Sequence, residues 1–372
     1  MILKTDCKFF PGDRPCIYNK SEGIMCNNCT YYSPVEFKIL IIKLDAIGDV
    51  LRTTSILPAV KRKYPNSHIT WLTKHASKDI FTNNKYIDEL LIFESNELFA
   101  KLSSIKFNVV LHPDTSPTSA SLASFANGET KRGFILNSIG KVSPVDESGV
   151  EWLEMGAFDQ MKKKNEKTYQ EIIHSILGLA YQKDKIIITL TEAEKSFADN
   201  FFRKNNLNRY KHLIGLNTGS SNRWYLKQWP KEKFFELIKR LNKYSDLGIL
   251  LFGGKDEFEK NNYLLSAGDN ILNTGNNNTL REFFSLMSIP ELVLTGDTLA
   301  LHTAAALNKK IICLFGPTSS NEIEDYGIIK KVSPKMECLV CYKNQCDFVP
   351  NCMDLISVDQ ILNIIEGELG LI

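Results

Sequence analysis

Lys38-Ile-Leu-Ile-Ile-Lys43 is a continuous apolar run of strand length, and the turn Asp45-Ala-Ile-Gly-Asp49 follows it closely. An amphipathic stretch from Asp49 to Lys63 comes next. A buried strand, a glycine-containing turn and a helix in this order are typical of the first unit of a parallel α/β sheet. This stretch therefore predicts an α/β fold that begins near residue 37.

Further strand-like runs, separated by helical patterns, follow on both sides of residue 190. They predict two doubly wound, Rossmann-like lobes with a central cleft, which suits a length of 372 residues. The expected divisions are a Cys-rich segment at 1–35, a first lobe at 36–188, a second lobe at 189–332, a second Cys-rich segment at 333–356 and a closing helix at 357–372. Ser357 is the predicted N-cap of that helix.

The chain carries a formal net charge of +2, with 24% charged and 43% apolar residues. These values argue against disorder and against a polyanion-binding surface, so we expect no nucleic-acid partner. A Lys-rich run at 162–167 is typical of a solvated face, although it also suits an anionic membrane surface. No secretory signal and no membrane-length apolar run are visible. We therefore expect a cytoplasmic protein, with peripheral contact at the inner face of the membrane as the alternative and the oligomeric state left open.

The turn after the first strand is the first candidate site. In open α/β sheets, ligands bind beyond the carboxyl ends of the strands, which places this turn on the wall of a site. Gly48 permits close approach of the backbone to a ligand. Asp49 either lines the site or caps the helix that starts here, and these residues alone favour the cap.

Groups suited to phosphate follow the first strand of the second lobe, Leu213 to Asn217. Small hydroxyl residues and glycine stand there beside cations, as a pyrophosphate pocket requires. The candidates are Thr218, Ser220, Arg223 and Lys227. A polar turn before a helix that starts at Pro230 is equally compatible with this stretch taken alone.

Three more strand ends of the second lobe carry ligand-competent residues. Gly253 and Gly254 permit close backbone approach, and a carboxylate at Asp256 or Glu257 suits ribose hydroxyls. The next two strand ends add the candidates Gly296, Asp297, Thr298, His302, Gly316 and Thr318. Taken singly, Asp297 is an N-cap and His302 a packed core histidine. Four such strand ends at one sheet edge nevertheless predict one binding site.

Ile42-Lys-Leu-Asp-Ala-Ile-Gly-Asp-Val-Leu-Arg-Thr-Thr-Ser-Ile-Leu-Pro-Ala59 resembles the N-terminal signature of the family 9 glycosyltransferases, the ADP-heptose:lipopolysaccharide heptosyltransferases. Lys227-Gln-Trp-Pro230, Thr295-Gly-Asp-Thr298 and Phe315-Gly-Pro-Thr318 are similar to second-lobe signatures of that family, in the same order. The resemblance covers about residues 37 to 320. It implies a GT-B fold, with the acceptor on the first lobe and the nucleotide sugar on the second.

The resemblance also implies an inverting sugar transfer that needs no metal for the transfer step. Asp49 matches the base that takes the acceptor proton, and Lys227 matches the lysine that contacts the phosphates. Glu257 matches the ribose ligand, and Asp297 with Thr298 matches the nucleotide-contacting pair. The implied donor is ADP-heptose or another nucleoside-diphosphate sugar. The implied acceptor is lipopolysaccharide, another surface glycan, a lipid-linked glycan or a protein.

The sequence departs from the family pattern in three places. Leu299 stands where many members have glycine, and Ala46 with Ile47 stands where polar or small residues are common. The Cys-rich N-terminal segment has no counterpart in the lipopolysaccharide core enzymes. These departures concern the shape of the phosphate pocket and the identity of donor and acceptor.

Eight cysteines fall into two groups: Cys7, Cys16, Cys26 and Cys29 before the first lobe, and Cys338, Cys341, Cys346 and Cys352 after the second. Cys-x2-Cys pairs place two thiolates on one tight turn, which suits tetrahedral Zn or Fe. Neither segment has the apolar periodicity of a core, so we expect a structural Zn or Fe site in each. One shared site, an iron–sulfur cluster and free thiols are the alternatives. The second function class is therefore a metal-binding assembly or regulatory protein on a degenerate transferase scaffold.

Overall fold

The computed structural model describes residues 2–220 and 222–371, and the side chains of Asn222 and Arg223 lie outside the description. A loop-rich N-terminal segment with one short helix precedes the first lobe. The elements up to residue 176 are α1 Ile17–Glu22, β1 Phe37–Ile42, α2 Ile47–Thr53, α3 Ile56–Lys63, β2 Ser67–Thr73, β3 Glu89–Ile92, α4 Leu98–Ser104, β4 Phe107–His112, α5 Pro117–Phe125, β5 Gly128–Leu136, β6 Val142–Pro144, α6 Val150–Ala157, α7 Asp159–Lys164 and α8 Tyr169–Ile176.

The second lobe repeats the alternation of strands and helices. Its elements are α9 Glu192–Lys204, β7 His212–Asn217, α10 Lys231–Leu241, β8 Leu247–Phe252, α11 Phe258–Leu265, β9 Ile271–Asn273, α12 Leu280–Met287, β10 Leu292–Gly296, α13 Leu299–Ala306, β11 Lys310–Leu314, β12 Ile329–Val332, α14 Cys352–Leu355 and α15 Val358–Leu369.

The two lobes contain one six-stranded sheet each, in the orders β3-β2-β1-β4-β5-β6 and β12-β11-β10-β7-β8-β9. Counted from its own first strand, each sheet has the order 3-2-1-4-5-6 of the doubly wound fold. Every strand pair is parallel except β5 with β6. The prediction of a two-lobed α/β fold is therefore confirmed.

The central strands are buried because helices cover both faces of each sheet. Residues 39–42 of β1 and 247–252 of β8 are almost without solvent exposure, which explains why both read as unbroken apolar runs. The closing helix α15 packs on α10 in the second-lobe core. The Ser357 hydroxyl accepts a hydrogen bond from the Gln360 amide (3.1 Å), so its predicted N-cap is confirmed.

The structure differs from the prediction where local signals are weak. The expected helix over 49–63 is split into α2 and α3, because the Thr54 and Ser55 hydroxyls bond the carbonyls of Leu51 and Arg52 and end the first helix. Strand β5 was not predicted, since its first half is polar and exposed at the sheet edge. Within the described ranges, every helix is too short or too polar to span a bilayer.

Candidate active site

A cavity of about 750 Å³ lies between the carboxyl edges of the two sheets. The loops after β1, β7, β8, β9, β10 and β11 form its walls. Two of these loops follow β1 and β7, the strands at which the order of each sheet reverses and a crevice opens. The volume is that of a small-molecule site.

Most of the predicted site residues meet at this cavity. Those on its wall are Gly48, Asp49, Ser220, Lys227, Glu257, Asp297, Thr298, His302 and Thr318. Thr218, Gly296 and Gly316 are not on the wall. The Thr218 hydroxyl is buried and donates to Asn261 Oδ1 at 2.6 Å. This bond holds the loop against α11, so the hydroxyl supports the site and does not face the ligand as predicted. The Arg223 side chain lies outside the described residues.

Asp49 is both a helix cap and a cleft residue. Its carboxylate accepts a hydrogen bond from the Ala46 amide (Oδ2, 3.3 Å) and pairs with Arg52 Nη2 (Oδ1, 2.8 Å). Burial acts to raise the pKa of Asp49, but the positive charges of Arg52 and Lys43 outweigh it and lower the pKa to about 2. Asp49 is therefore ionised at neutral pH, with 39% of its side chain exposed toward the cleft.

The Arg52 side chain also contacts Tyr169 of α8. Its guanidinium lies 3.6 Å from the centre of the Tyr169 ring, and the Tyr169 hydroxyl is 2.7 Å from Thr53 Oγ1. The Tyr169 amide donates to the Glu322 carbonyl at 2.9 Å, which links α8 to the second lobe. The orientation of Asp49 therefore depends on contacts that cross between the lobes.

Helices α2 and α13 meet where the two lobes approach each other. A Cβ on Gly48 would lie 3.4 Å from His302 Cδ2, at van der Waals contact, which shows how closely the two helices approach. Burial, reinforced by the nearby Arg52 charge, lowers the pKa of His302 to about 4. His302 is therefore neutral at neutral pH and lines the cavity, and the expectation of a histidine packed only in the core is too narrow.

Lys227 and Asp297 form the cationic and anionic pair of the second-lobe wall. Lys227 Nζ donates to Asp297 Oδ2 at 2.9 Å and to the Asp297 carbonyl at 3.1 Å. Burial acts to raise the pKa of Asp297, but the Lys227 ammonium lowers it below its ordinary value. The N-cap of α13 is Thr298, whose hydroxyl accepts from the Ala300 amide, so the alternative of Asp297 as the cap is wrong.

Glu257 closes the far end of the cavity between two glycine-containing loops. Its Oε2 accepts from the Gly254 amide at 2.8 Å. A Cβ on Gly219 would lie 2.2 Å from the Glu257 Cδ, and one on Gly253 would lie 2.7 Å from its Cβ. Glycine is therefore required at both positions for the carboxylate to reach the cavity wall.

Several wall residues were missed from the sequence: Arg52, Asn276, Asn278, Phe283, Glu322 and Tyr342. The i,i+3 spacing of Asp49 and Arg52 within a predicted helix was a signal that would have found Arg52. Tyr342 belongs to the second Cys-rich segment, which has no periodic pattern to indicate its place.

The cysteines of each predicted group lie near one another. Cys7, Cys16, Cys26 and Cys29 line one cavity of about 550 Å³. Burial and the neighbouring Cys341 thiol raise the pKa of Cys352 to about 11, with smaller effects of Cys346 and Cys338 in the same direction. Among the described residues, no three His, Cys, Asp or Glu side chains are placed to hold a metal ion, and metal binding stays a prediction.

Comparison with known proteins places this site in a family. Residues 96–351 match the family model of glycosyltransferase family 9 (heptosyltransferase). Lipopolysaccharide heptosyltransferase 1 of Campylobacter coli is 24% identical over 367 residues, covering 90% of this chain and 99% of that protein.

Two solved structures share the fold. A family 9 glycosyltransferase from Veillonella parvula has a TM-score of 0.70 at 18% identity, with 91% of this chain and 98% of that chain covered. The ADP-heptose lipopolysaccharide heptosyltransferase II of E. coli has a TM-score of 0.64 at 19% identity, with 90% and 99% covered. Since the family model spans more than half of the chain, the protein belongs to glycosyltransferase family 9 and is a glycosyltransferase with the GT-B fold.

Proposed function

We propose that the protein transfers a heptose from ADP-heptose, with inversion at the anomeric carbon, to lipopolysaccharide or a related surface glycan. The observation that carries this proposal is the placement of the Asp49 carboxylate on the same cavity as the Lys227–Asp297 pair and the start of α13. The names of the Campylobacter and E. coli relatives support the sugar, the nucleotide and the acceptor.

The chemistry is a single displacement. Asp49 takes the proton of the acceptor hydroxyl while that oxygen attacks the anomeric carbon from the first-lobe side. The bond between the anomeric carbon and the diphosphate oxygen breaks as the new glycosidic bond forms, and ADP leaves. Lys227 and the amides at the start of α13 stabilise the charge on the departing diphosphate. Attack opposite to the leaving group inverts the anomeric configuration.

The nucleotide occupies the opposite end of the cavity. Glu257 offers a carboxylate to the ribose hydroxyls, as acidic residues do in other doubly wound folds. Asn276 and Asn278 line this end of the cavity, with their side-chain amides bonded to loop carbonyls, and Phe283 provides an aromatic face. These contacts suit a nucleoside diphosphate and leave the identity of the base to experiment.

A lipid-linked glycan or a protein is the alternative acceptor, bound at the first lobe.

Peripheral contact with an anionic membrane is part of this proposal, because Lys163 and Lys164 are exposed. Lys162 does not belong to this exposed surface, because its ammonium lies 4.6 Å from the centre of the Tyr342 ring.

We also propose that each group of four cysteines binds a structural Zn or Fe ion that takes no part in the transfer. For the N-terminal group, the support is that its four thiols line one cavity of about 550 Å³. Metal content measured on protein purified without chelators tests the idea, since about one ion per group is expected. Absence of metal from freshly prepared protein with reduced thiols would contradict it.

A nucleotide screen tests the donor proposal. Thermal unfolding of the protein is recorded with ADP, UDP, GDP and CMP, because a ligand that binds only the folded state must raise its stability. We expect ADP to give the largest increase in Tm, and ADP-heptose to support transfer to a heptose-deficient lipopolysaccharide. Equal responses to all four nucleotides, or none, would contradict an ADP-sugar donor.

A further inference from the structure

The Asp49 end of the cavity has a second carboxylate, which the transfer mechanism above does not use. Glu322 follows the Gly316–Ser319 loop and lines the cavity together with Thr318 and Ser319. Burial raises the pKa of Glu322 above its ordinary value, although the Arg52 charge acts to lower it, and both residues also border a smaller cavity. Because Arg52 pairs with Asp49, Glu322 lies at the end of the cavity where the sugar reacts and not at the ribose end.

Tyr342 of the second Cys-rich segment fixes this carboxylate. The Tyr342 hydroxyl donates to Glu322 Oε1 at 2.9 Å and accepts from the Ser319 amide at 3.3 Å. The segment is attached to the same loop by two backbone hydrogen bonds, from Val340 to the Gly316 carbonyl (3.2 Å) and from Tyr342 to the Pro317 carbonyl (2.9 Å). The position of Tyr342 is therefore set by main-chain contacts.

Glu322 lines the cavity and keeps acceptor capacity beyond its bond from Tyr342. Within the described part of the chain, the Tyr342 hydroxyl is the only hydrogen-bond donor to its carboxylate. A carboxylate accepts several hydrogen bonds, and those donated to a charged group are stronger than neutral ones. Neighbouring sugar hydroxyls can donate hydrogen bonds to these oxygens, whereas an ionised diphosphate has no hydrogen-bond donor to offer.

We propose that Glu322 determines donor specificity by accepting hydrogen bonds from hydroxyls of the transferred sugar, and that Tyr342 is the residue that positions it. The inference rests on the proposed function, because it requires a nucleotide sugar in the cavity. It assigns part of the sugar site to the Cys-rich segment, and so explains why that segment is attached to the Gly316–Ser319 loop.

The test compares ADP with the unreactive donor analogue ADP-2-deoxy-2-fluoro-heptose by titration calorimetry on Glu322→Gln and Tyr342→Phe. We expect the affinity for ADP to stay within about twofold, and the additional affinity given by the sugar to fall about tenfold in Glu322→Gln and about threefold in Tyr342→Phe. Since the sugar contact persists in catalysis, the KM for the donor should rise, and Glu322→Asp should recover part of the loss.

A matched control pair exists two residues away. The Tyr181 hydroxyl donates to Glu324, which is off the wall of the main cavity, so Tyr181→Phe and Glu324→Gln change the same groups without facing the sugar. Both controls should leave the two affinities unchanged. If wild-type protein gains affinity from the sugar and the Glu322 variant keeps that gain, the inference is wrong and the proposed function stands. If wild-type protein gains nothing from the sugar but transfers heptose, the inference alone is wrong; if it also transfers none, both are wrong.

Discussion

Arg52 Nη2 lies 2.8 Å from Asp49 Oδ1, one turn further along the first helix of the first lobe. The pair keeps the proposed base ionised and fixes one of its oxygens, while the other oxygen accepts from the Ala46 amide. An acceptor hydroxyl that approaches Asp49 therefore meets a charged carboxylate in a defined orientation. The low pKa makes Asp49 a weaker base in the free protein.

The pH dependence of the wild-type rate follows from two lowered pKa values. Asp49, with a pKa of about 2, loses its charge only in strong acid, and His302, with a pKa of about 4, gains charge only in acid. Above about pH 5, neither group should produce an acid limb in kcat/KM. Initial rates measured at constant ionic strength check this. A limb near neutrality that vanishes in His302→Asn would show that this histidine titrates in the working range.

Arg52→Gln should change both the rate and its pH dependence. Without the guanidinium, the pKa of Asp49 rises toward its ordinary value of about 4, so the acid limb moves to higher pH. We expect kcat to fall about tenfold, because the loss of orientation outweighs the gain in basicity that the higher pKa gives Asp49. Arg62→Gln is a matched control. Arg62 Nη1 lies 2.6 Å from Asp184 Oδ1, and neither residue lines the cavity. If the acid limb of the pH–rate profile is not shifted in Arg52→Gln, Arg52 does not set the pKa of Asp49.

Lys227→Met should weaken binding of ADP at least tenfold, since it removes the cation that faces the diphosphate. The same change leaves Asp297, only 17% exposed, without its partner, and should lower the free energy of unfolding by about 1–3 kcal/mol. The double variant Lys227→Met/Asp297→Asn separates the two effects, because it should recover stability but not affinity. Calorimetric binding and urea unfolding measure both. Wild-type ADP affinity in the single variant would remove Lys227 from the donor site.

Gly316→Ala tests how closely the second Cys-rich segment is packed against the Gly316–Ser319 loop. The new Cβ would lie 2.4 Å from Cys352 Sγ and 3.1 Å from Met353 Sδ, so we expect a loss of about 1–3 kcal/mol in the free energy of unfolding. Gly367→Ala is the control, because that position in the last helix faces open space, and it should stabilise by about 0.5–1 kcal/mol. Equal Tm values for wild type and Gly316→Ala would contradict the packing.

The parts of this site that could be predicted are those set by the parallel sheets. Buried parallel strands read as unbroken apolar runs, and the carboxyl ends of one sheet must share one edge, so Lys227 and Glu257 could be assigned to one edge of the second lobe from their positions. The assignment of Asp49 to the same cavity came from the resemblance to the family signature.

What could not be predicted depends on contacts between distant residues. The Thr218 hydroxyl is taken by Asn261, which is 43 positions away, and no local pattern indicates that pairing. Tyr342 reaches the cavity only because its segment bonds to the Gly316–Ser319 loop. A segment without periodicity gives no information about the element on which it packs.

The most direct test of the central claim is the transfer rate of Asp49→Asn measured beside its affinity for ADP-heptose. Asparagine keeps the size of the side chain and an oxygen that can accept from the Ala46 amide, but it cannot take a proton. We predict that kcat falls about 10²–10⁴-fold while the Kd for ADP-heptose changes by less than about twofold. Transfer at the wild-type rate by this variant would show that Asp49 is not the base.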